Sequence, residues 1–348
     1  MKKKIDINSE EIARLAGVSR STVSRVINHY PNVPQKTKEK VMKVIKEYNY
    51  YPNLSAQVLA GKKTKTLGLF IIERGHLSED TSVNEVITCL IEHASLYGFY
   101  VLAHVIRDTT DPENVHNVKE FFYQGRIDGG IFIGAANHEP LVEELIAEGF
   151  IVGIVDQVLP GRNESNRIVC NFNNEGAIMQ AVDYFVSMGH KRIGIITSDL
   201  KKSSTTSKLN GFMAAMEKHG LSINDRWILP GFYEGGGYTA IEHLVRKSKD
   251  LPTAIFASND NIAFAAIRAL NDFSLRVPED ISIIGMNDQK LSAYYKPALT
   301  TFRANFREMM LLVTKMVVES ILEGAGEESL KVTMDMQFIE RESVARIN

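Results

Sequence analysis

The stretch GVSRSTVSRVIN, residues 17–28, concentrates side chains suited to contacting nucleic acid. Its two arginines lie among serine and threonine hydroxyls, and apolar residues recur between them at helical spacing. Arginine is the commonest specific reader of guanine in the DNA major groove, and hydroxyl groups suit phosphate oxygens. If the segment is a helix with its valines turned inward, its outer face consists of Arg20, Ser21, Ser24 and Arg25. The alternative is an exposed helix whose arginines are only solvated.

Positive charge is concentrated at this end of the chain. Residues 1–65 carry 14 lysines and arginines against 5 acidic residues, whereas the remainder carries 26 against 37. A basic head on an acidic body favours nucleic-acid binding by the head and a separate task for the body.

The bulk properties predict a cytoplasmic protein of two or three domains. The two cysteines, Cys89 and Cys170, lie in apolar runs and are expected to be free, buried thiols, as is typical of a reducing compartment. The sequence shows no signal peptide and no apolar run long enough to span a membrane, so no membrane partner is expected.

The first 50 residues predict three short helices. Asn8 and Glu11 suit a helix cap, Gly17 ends that helix, and Ser19 suits the cap of the next one. Two helices joined by a tight glycine turn make a helix-turn-helix module. The residues that follow predict a short linking helix that begins at Pro52.

From Thr66 onward, apolar strands alternate with segments of helical length. This pattern is typical of parallel sheets buried between helices, and the number of strands favours two doubly wound α/β domains over one. The strand candidates are residues 66–72, 100–106, 129–133, 151–155, 167–172, 192–197, 253–257 and 282–286. The last segments predict a long helix after Pro297 and closing strands within KVTMDMQFIERES.

The chain resembles the lactose-repressor/galactose-repressor (LacI/GalR) family of bacterial transcription regulators along nearly its whole length. The motifs that carry the resemblance are EIARLAGVSRSTVSRVIN, TKEKVMKVIKEYNYYPN, AQVLAGKK, GHKRIGII, LRVPEDISIIG, KPALTTF and FIERESV. The resemblance implies a helix-turn-helix head and a hinge helix, followed by a core of periplasmic-binding-protein type. The expected domains are 1–50 for the head, 51–65 for the hinge helix and linker, 66–170 with 290–328 for the first core subdomain, and 171–289 with 329–348 for the second.

The resemblance also implies a homodimer on a palindromic operator in double-stranded DNA. The positions that match its DNA contacts are Ser19, Arg20, Ser21, Thr22, Ser24, Arg25, Asn28, Asn53 and Leu59. Leu59 falls where the hinge-helix leucine of the family wedges into the minor groove, and an apolar wedge there unstacks a base step. The alternative for Leu59 is a core leucine of the linker.

Family members bind a small effector between the core subdomains. The positions carried over to this chain are Asp156, Asn171, Lys202, Lys208, Tyr233, Asn259 and Asn287. Three of them depart from the family pattern, because Lys208 replaces an arginine and Asn171 and Asn287 replace aspartates. Fewer carboxylates and additional lysines favour an anionic effector, such as a sugar acid or a sugar phosphate. The alternative is a neutral sugar, with Lys201 and Lys202 only solvated.

Two other classes of protein share this core fold. An enzyme is disfavoured because the chain lacks the G-x-S-x-G, H-E-x-x-H and phosphate-loop motifs, so no catalytic residue, metal or cofactor is expected. A transport binding protein is disfavoured by the basic head and by the lack of a signal peptide. The sequence therefore predicts a sequence-specific transcriptional repressor of a carbohydrate-use operon that is controlled by a small-molecule effector.

Overall fold

The computed structural model describes residues 7–51, 58, 61–73, 77, 81–231 and 236–347 of the 348-residue chain. It forms two compact units, a head unit Met1–Thr64 and a core unit Lys65–Asn348.

The described part of the head unit contains three helices. Their bounds are α1 Ser9–Ala16, α2 Arg20–Ile27 and α3 Gln35–Glu47. The Asn8 side chain accepts hydrogen bonds from two backbone N–H groups of the first turn of α1, and Gly17 ends that helix with φ 62°, a conformation that favours glycine. Ile12, Val23 and Val41, one from each helix, are fully buried against one another. This small core fixes the angle at which α2 leaves the turn.

The first core subdomain is a six-stranded parallel sheet with helices on both faces. Its strands are β1 Thr66–Ile72, β2 Tyr100–Ile106, β3 Gly129–Ile133, β4 Val152–Val155, β5 Arg167–Phe172 and β11 Leu330–Met334, in the order β11-β5-β4-β3-β1-β2. Its helices are α4 Thr81–Leu96, α5 Pro112–Tyr123, α6 Pro140–Ala147 and α11 Phe306–Glu323. One apolar cluster lies between the sheet and α4 and α11, and a second lies under α5 and α6. Cys89 and Cys170 are buried free thiols in the first of these clusters, which confirms that prediction.

The second core subdomain repeats the arrangement on a smaller scale. Its parallel strands are β6 Ile193–Thr197, β7 Ile228–Pro230, β8 Ala254–Ala257 and β9 Ser282–Ile284, in the order β7-β6-β8-β9. Its helices are α7 Asn174–Ser187, α8 Ser203–Lys218, α9 Gly236–Lys247 and α10 Asp260–Asp272. An antiparallel pair, β10 Thr301–Arg303 with β12 Gln337–Ile339, completes this subdomain. Two α/β subdomains after a helix-turn-helix head confirm the predicted fold class.

The predicted subdomain boundaries are wrong near the C-terminus. Residues 329–348 were expected wholly in the second subdomain, but Leu330–Met334 pairs in parallel with β5 at the edge of the first sheet. Residues 290–328 were expected wholly in the first, but Thr301–Arg303 pairs with β12 and its Phe302 is buried in the core of the second. The physical reason is that an edge strand pairs with the sheet that lies beside it in the folded molecule. The alternation of strands and helices along the sequence does not specify which sheet that is.

As a result, the chain passes between the subdomains three times. The crossings follow β5, precede α11 and connect β11 to β12. The three connecting segments form the hinge between the subdomains. Three residues in or beside these segments line the cleft, namely Phe172, Phe306 and Met336. No helix among the residues described is both long and apolar enough to cross a bilayer.

Candidate functional site

The outer face of α2 carries the side chains expected to contact DNA. Arg20, Ser21, Ser24 and Arg25 are exposed, while Val23 and Val26 are buried against the rest of the head. No acidic residue lies in the first turn of α2, so the positive end of the helix is not neutralised there.

Hydroxyl groups at the start of α2 also organise the helix itself. The Ser19 side chain accepts a hydrogen bond from the Thr22 backbone N–H at 3.1 Å, and its Oγ lies 2.8 Å from the hydroxyls of both Ser21 and Thr22. The guanidinium of Arg20 donates to Ser9 Oγ at 3.0 Å, which ties α2 to the start of α1. These contacts orient the leading turn of α2.

At the other end of α2, Asn28 donates to Ser24 Oγ at 3.2 Å and accepts a hydrogen bond from the Lys62 ammonium. The bond to Lys62 connects the end of α2 to the segment that follows the predicted hinge helix.

Two further predicted DNA contacts, Asn53 and Leu59, lie outside the described residues.

A cavity of about 780 Å³ lies in the cleft between the two core subdomains. Five of the predicted effector positions line it, namely Asp156, Lys202, Lys208, Asn259 and Asn287. This volume is that of a pocket for a small molecule. Its walls lie at the carboxyl ends of the strands of both sheets, where ligands bind in doubly wound folds.

Asp156 follows β4 and is held in the left-handed region at φ 60°. Its Oδ1 accepts hydrogen bonds from the Phe172 backbone N–H at 3.0 Å and from the Asn174 amide at 3.2 Å. Burial raises the pKa of this carboxyl, and the Phe172 bond, Lys208 and the Asn174 bond oppose that rise. The geometry fixes the carboxyl at the hinge side of the cavity.

Lys208 lies on α8 with only 8% of its surface exposed. Its ammonium donates to the Ser258 carbonyl oxygen at 3.1 Å. Burial lowers the pKa of Lys208 to about 8, Asp156 opposes this effect and Lys202 adds to it. The hydroxyl of Ser258, which also lines the cavity, is buried and has no hydrogen-bond partner in the part of the chain that the structure describes.

The N-terminus of α8 opens towards the same cavity. Lys202 occupies the cap position without a side-chain cap, and no acidic residue lies in the first turn. Among the described residues, no acceptor is found for the backbone N–H groups of Ser203 and Ser204, and Ser204 lines the cavity. Unsatisfied N–H groups at a helix start attract anions.

Three polar contacts cross the cleft. The Lys202 ammonium forms an ion pair with Glu73, and Ser203 Oγ donates to Asn137 Oδ1 at 2.7 Å. Asn287, with φ 106°, donates to Ser82 Oγ at 3.3 Å. Each contact joins one subdomain to the other, so the cleft is closed around the cavity.

Among the described residues, one predicted effector residue, Asn171, is not found in the cavity wall. The Asn171 side chain bonds to the Gln157 backbone, accepting from its N–H at 2.8 Å and donating to its carbonyl at 3.0 Å, and its role as a ligand contact stays a prediction. The amide satisfies both backbone groups of a loop residue, which an aspartate at this position could not do. Tyr233 lies outside the described residues.

Sequence reasoning missed Asp260, the residue after Asn259. Asn259 caps α10 by accepting from the Ile262 backbone N–H at 2.9 Å, while the Asp260 carboxylate is fully buried. It accepts from Thr301 Oγ1 at 2.6 Å, Ser292 Oγ at 2.7 Å and the Gln289 backbone N–H at 2.7 Å. Burial raises the pKa of Asp260 to about 6, and these bonds oppose the rise. The only local signal was an acidic residue in the first turn of a helix.

Comparison with known proteins agrees with both units. A family model described as bacterial regulatory proteins, lacI family, matches residues 10–53, and one described as a periplasmic binding protein-like domain matches residues 182–344. The chain is 33% identical to the HTH-type transcriptional repressor PurR of Haemophilus influenzae (strain ATCC 51907 / DSM 11121 / KW20 / Rd). The alignment spans 342 residues and covers 97% of this chain and 98% of that protein.

Solved structures show the same fold. The lac repressor dimer bound to operator and the anti-inducer ONPF matches with a TM-score of 0.81 and 23% identity over 97% of this chain and 99% of that one. The complex of the transcriptional regulator CelR with cellobiose matches with a TM-score of 0.73 and 25% identity over 97% and 99%. The chain belongs to the lacI family of bacterial regulatory proteins, as a DNA-binding transcriptional repressor with an effector-binding core.

Proposed function

We propose that this repressor controls a carbohydrate-use operon as a cytoplasmic homodimer on a palindromic operator. The observation that carries the proposal is the closed cavity of about 780 Å³, whose wall presents both hydrogen-bond donors and acceptors at the hinge between the subdomains. Sugars need both kinds of partner for their hydroxyl groups. The CelR complex, whose bound molecule is cellobiose, supports a carbohydrate ligand for a core of this shape.

The effector is proposed to carry an acidic group. The α8 N-terminus offers two backbone N–H groups that have no acceptor among the described residues, and Lys202 and Lys208 lie beside it in the same wall. Backbone N–H groups at a helix start bind carboxylate or phosphate, and lysine adds a point charge. In the closed cleft, Glu73 already neutralises Lys202, so an acidic ligand would replace Glu73 as its partner. A neutral sugar would leave that ion pair in place.

Calorimetric titration of the full chain tests the nature of the effector. The panel is a set of neutral sugars, the corresponding sugar acids and sugar phosphates, and purine bases as an unrelated class. The expected result is tighter binding of an acid or phosphate than of its neutral parent. Tighter binding of the neutral sugar would reject the acidic effector, and binding of purines alone would reject a carbohydrate effector.

Effector binding is proposed to act on DNA through the hinge. Closing or opening the cleft changes the distance between the two hinge segments of a dimer, and this couples the two sites by about 1–3 kcal/mol. Filter binding of genomic fragments, with and without the ligand found by calorimetry, tests the scheme. The expected result is a set of palindromic fragments whose retention changes with ligand. Retention that ligand leaves unchanged at every fragment would reject the coupling.

A further inference from the structure

We propose that Lys208 is a nucleophilic amine that captures carbonyl compounds in the cleft as a reversible imine. This inference rests on the proposed function in one respect, because it takes the natural ligand to be a sugar derivative whose open-chain form has an aldehyde or a ketone. It adds a covalent step to what would otherwise be simple polar binding.

The first support is the geometry of the side chain. Lys208 reaches the cavity wall from α8 with 92% of its surface removed from solvent, since only 8% is exposed. An ammonium group has three N–H donors, and among the described residues its hydrogen-bond acceptor is the Ser258 carbonyl oxygen alone. No carboxylate in the described part of the chain forms an ion pair with it, so the amine is poorly compensated for losing water.

The second support is the charge around the amine. Desolvation and a neighbouring cation are the two arrangements by which proteins activate lysine nucleophiles. Both occur here, because burial, with a smaller effect of Lys202, lowers the pKa of Lys208 to about 8. At about pH 7.5 roughly a quarter of such an amine is neutral, compared with about one part in a thousand for an ordinary lysine.

The third support is the set of groups that would assist the reaction. Asp156 lines the same cavity, and burial raises the pKa of its carboxyl, which brings the carboxyl closer to exchanging a proton at neutral pH. The buried Ser258 hydroxyl has no hydrogen-bond partner among the described residues, and the carbonyl of the same residue positions the amine. One carboxyl group and one hydroxyl therefore accompany the amine.

The step balances with these groups alone. The neutral amine attacks the carbonyl carbon, a C–N bond forms, and the carbonyl oxygen becomes the hydroxyl of a carbinolamine. A proton from Asp156 then lets that hydroxyl leave as water, and the nitrogen keeps the carbon in a C=N bond. Addition of water reverses the sequence, so the capture remains an equilibrium.

Reductive trapping on the intact chain tests the inference. The probe is glyoxylate with sodium cyanoborohydride, because glyoxylate combines an aldehyde with a carboxylate and is small relative to the cavity. Reduction converts an imine into a stable carboxymethyl-lysine, which peptide mass spectrometry locates. Lys208 is expected to be modified at least about tenfold faster than the exposed Lys247, since its larger neutral fraction is only partly offset by lower intrinsic nucleophilicity.

Two further measurements sharpen the test. The rate at Lys208 is expected to rise with pH to a midpoint of about 8, whereas the rate at Lys247 continues to rise beyond it. Lys202→Met is expected to slow modification of Lys208 because it removes the neighbouring cation. Modification of Lys208 no faster than of Lys247, or a pH profile shared by both, would overturn the inference.

Failure of the inference and failure of the proposed function are distinguishable. Sugar binding by calorimetry without preferential trapping at Lys208 rejects the imine and leaves the effector proposal intact. Preferential trapping at Lys208 without binding of any sugar derivative supports the reactive amine and rejects the carbohydrate effector.

Discussion

At the scale of single residues, several side chains both stabilise the fold and face a predicted ligand. Ser19 caps α2 at the helix start that is predicted to contact DNA, and Asn259 caps α10 while lining the cavity. Arg20 bonds to Ser9 and remains exposed on the outer face. A substitution at such a position changes both the stability of the fold and the contact with the predicted ligand. A useful variant must change one of the two and leave the other in place.

Arg20→Ala is expected to relax base preference at one operator position at a cost of about 1–3 kcal/mol, because a base-edge contact is lost without removal of a phosphate contact. The measurement is an operator-variant binding series with the full chain. The control is Arg14→Ala on α1, which removes an exposed arginine that pairs with Glu11. Base preferences of Arg20→Ala that equal those of the wild type at every position would reject the assignment of α2 to the groove.

Asn259→Asp is expected to keep the stability of the wild type and to weaken binding of an acidic effector by about tenfold or more. Aspartate retains the capping oxygen, but it removes an amide donor from the cavity and adds a charge that repels an acid. Asn259→Ala is the matched variant and should cost about 1 kcal/mol of stability through loss of the cap. Urea denaturation and calorimetry give the two readouts. Unchanged effector affinity in Asn259→Asp would show that the residue acts only as a cap.

At the scale of elements, the second subdomain is held together by contacts between segments distant in sequence. Asp260 at the start of α10 binds the hydroxyls of Ser292 and Thr301, which belong to a short 3-10 helix and to β10. Ser343 plays a similar part near the C-terminus, since it accepts from the Thr300 backbone N–H and donates to the Ile283 carbonyl. These bonds fix the loop that carries Asn287 into the cleft.

Asp260→Asn tests this anchor through the pH dependence of stability. The pKa of Asp260 is raised to about 6 from its usual 3.8, so the folded chain binds more protons than the unfolded chain between these values. The stability contributed by this group is therefore complete below pH 3.8 and is lost as the pH rises through about 6. Asparagine does not titrate, so this part of the pH dependence should disappear in the variant.

The measurement is urea denaturation of both proteins from about pH 4 to pH 7, with the exposed Asp225→Asn as the control. Asp260→Asn is also expected to be less stable than the wild type at about pH 4, because the amide nitrogen cannot accept a hydrogen bond from the donors around Asp260, whereas either oxygen of the carboxyl group can. Parallel pH profiles for the wild type and Asp260→Asn would contradict the prediction.

At the scale of the whole molecule, a closed cleft depends on contacts between subdomains. The Lys202–Glu73 ion pair and the Ser203–Asn137 hydrogen bond both involve the start of α8, which is also where the proposed acidic group of the effector would bind. The proposed acidic ligand and Glu73 would compete for the same ammonium group. The charge of the ligand would thereby be linked to the equilibrium between open and closed clefts.

Glu73→Gln is expected to tighten binding of the acidic effector by about tenfold and to leave a neutral sugar nearly unchanged. The substitution removes the carboxylate that competes for Lys202 and retains the shape of the side chain. Glu327→Gln, an exposed residue outside the cavity, controls for the change in net charge. Calorimetry with both ligands gives the result. Equal gains for acid and neutral sugar would mean that Lys202 does not meet the acidic group.

The elements of this chain could be predicted from short-range signals. These signals act over a few residues, and they are the helix caps at Asn8 and Ser19, the turn at Gly17 and the apolar runs of the parallel strands. The structure has these features at the predicted positions. Two of the three-residue strands, β7 and β10, were missed because so few residues carry too little periodicity to be recognised.

The sequence alone determined the basic head, the alternation of strands and helices, and the outward face of α2, because charge, periodicity and capping are properties of neighbouring residues. Only the tertiary structure decided that Leu330–Met334 joins the first sheet, that Asn171 turns to Gln157 rather than to the cavity, and that Lys202 meets Glu73. Strand addition and cleft contacts join segments that are far apart along the chain, so their partners are chosen by packing and burial in the folded molecule.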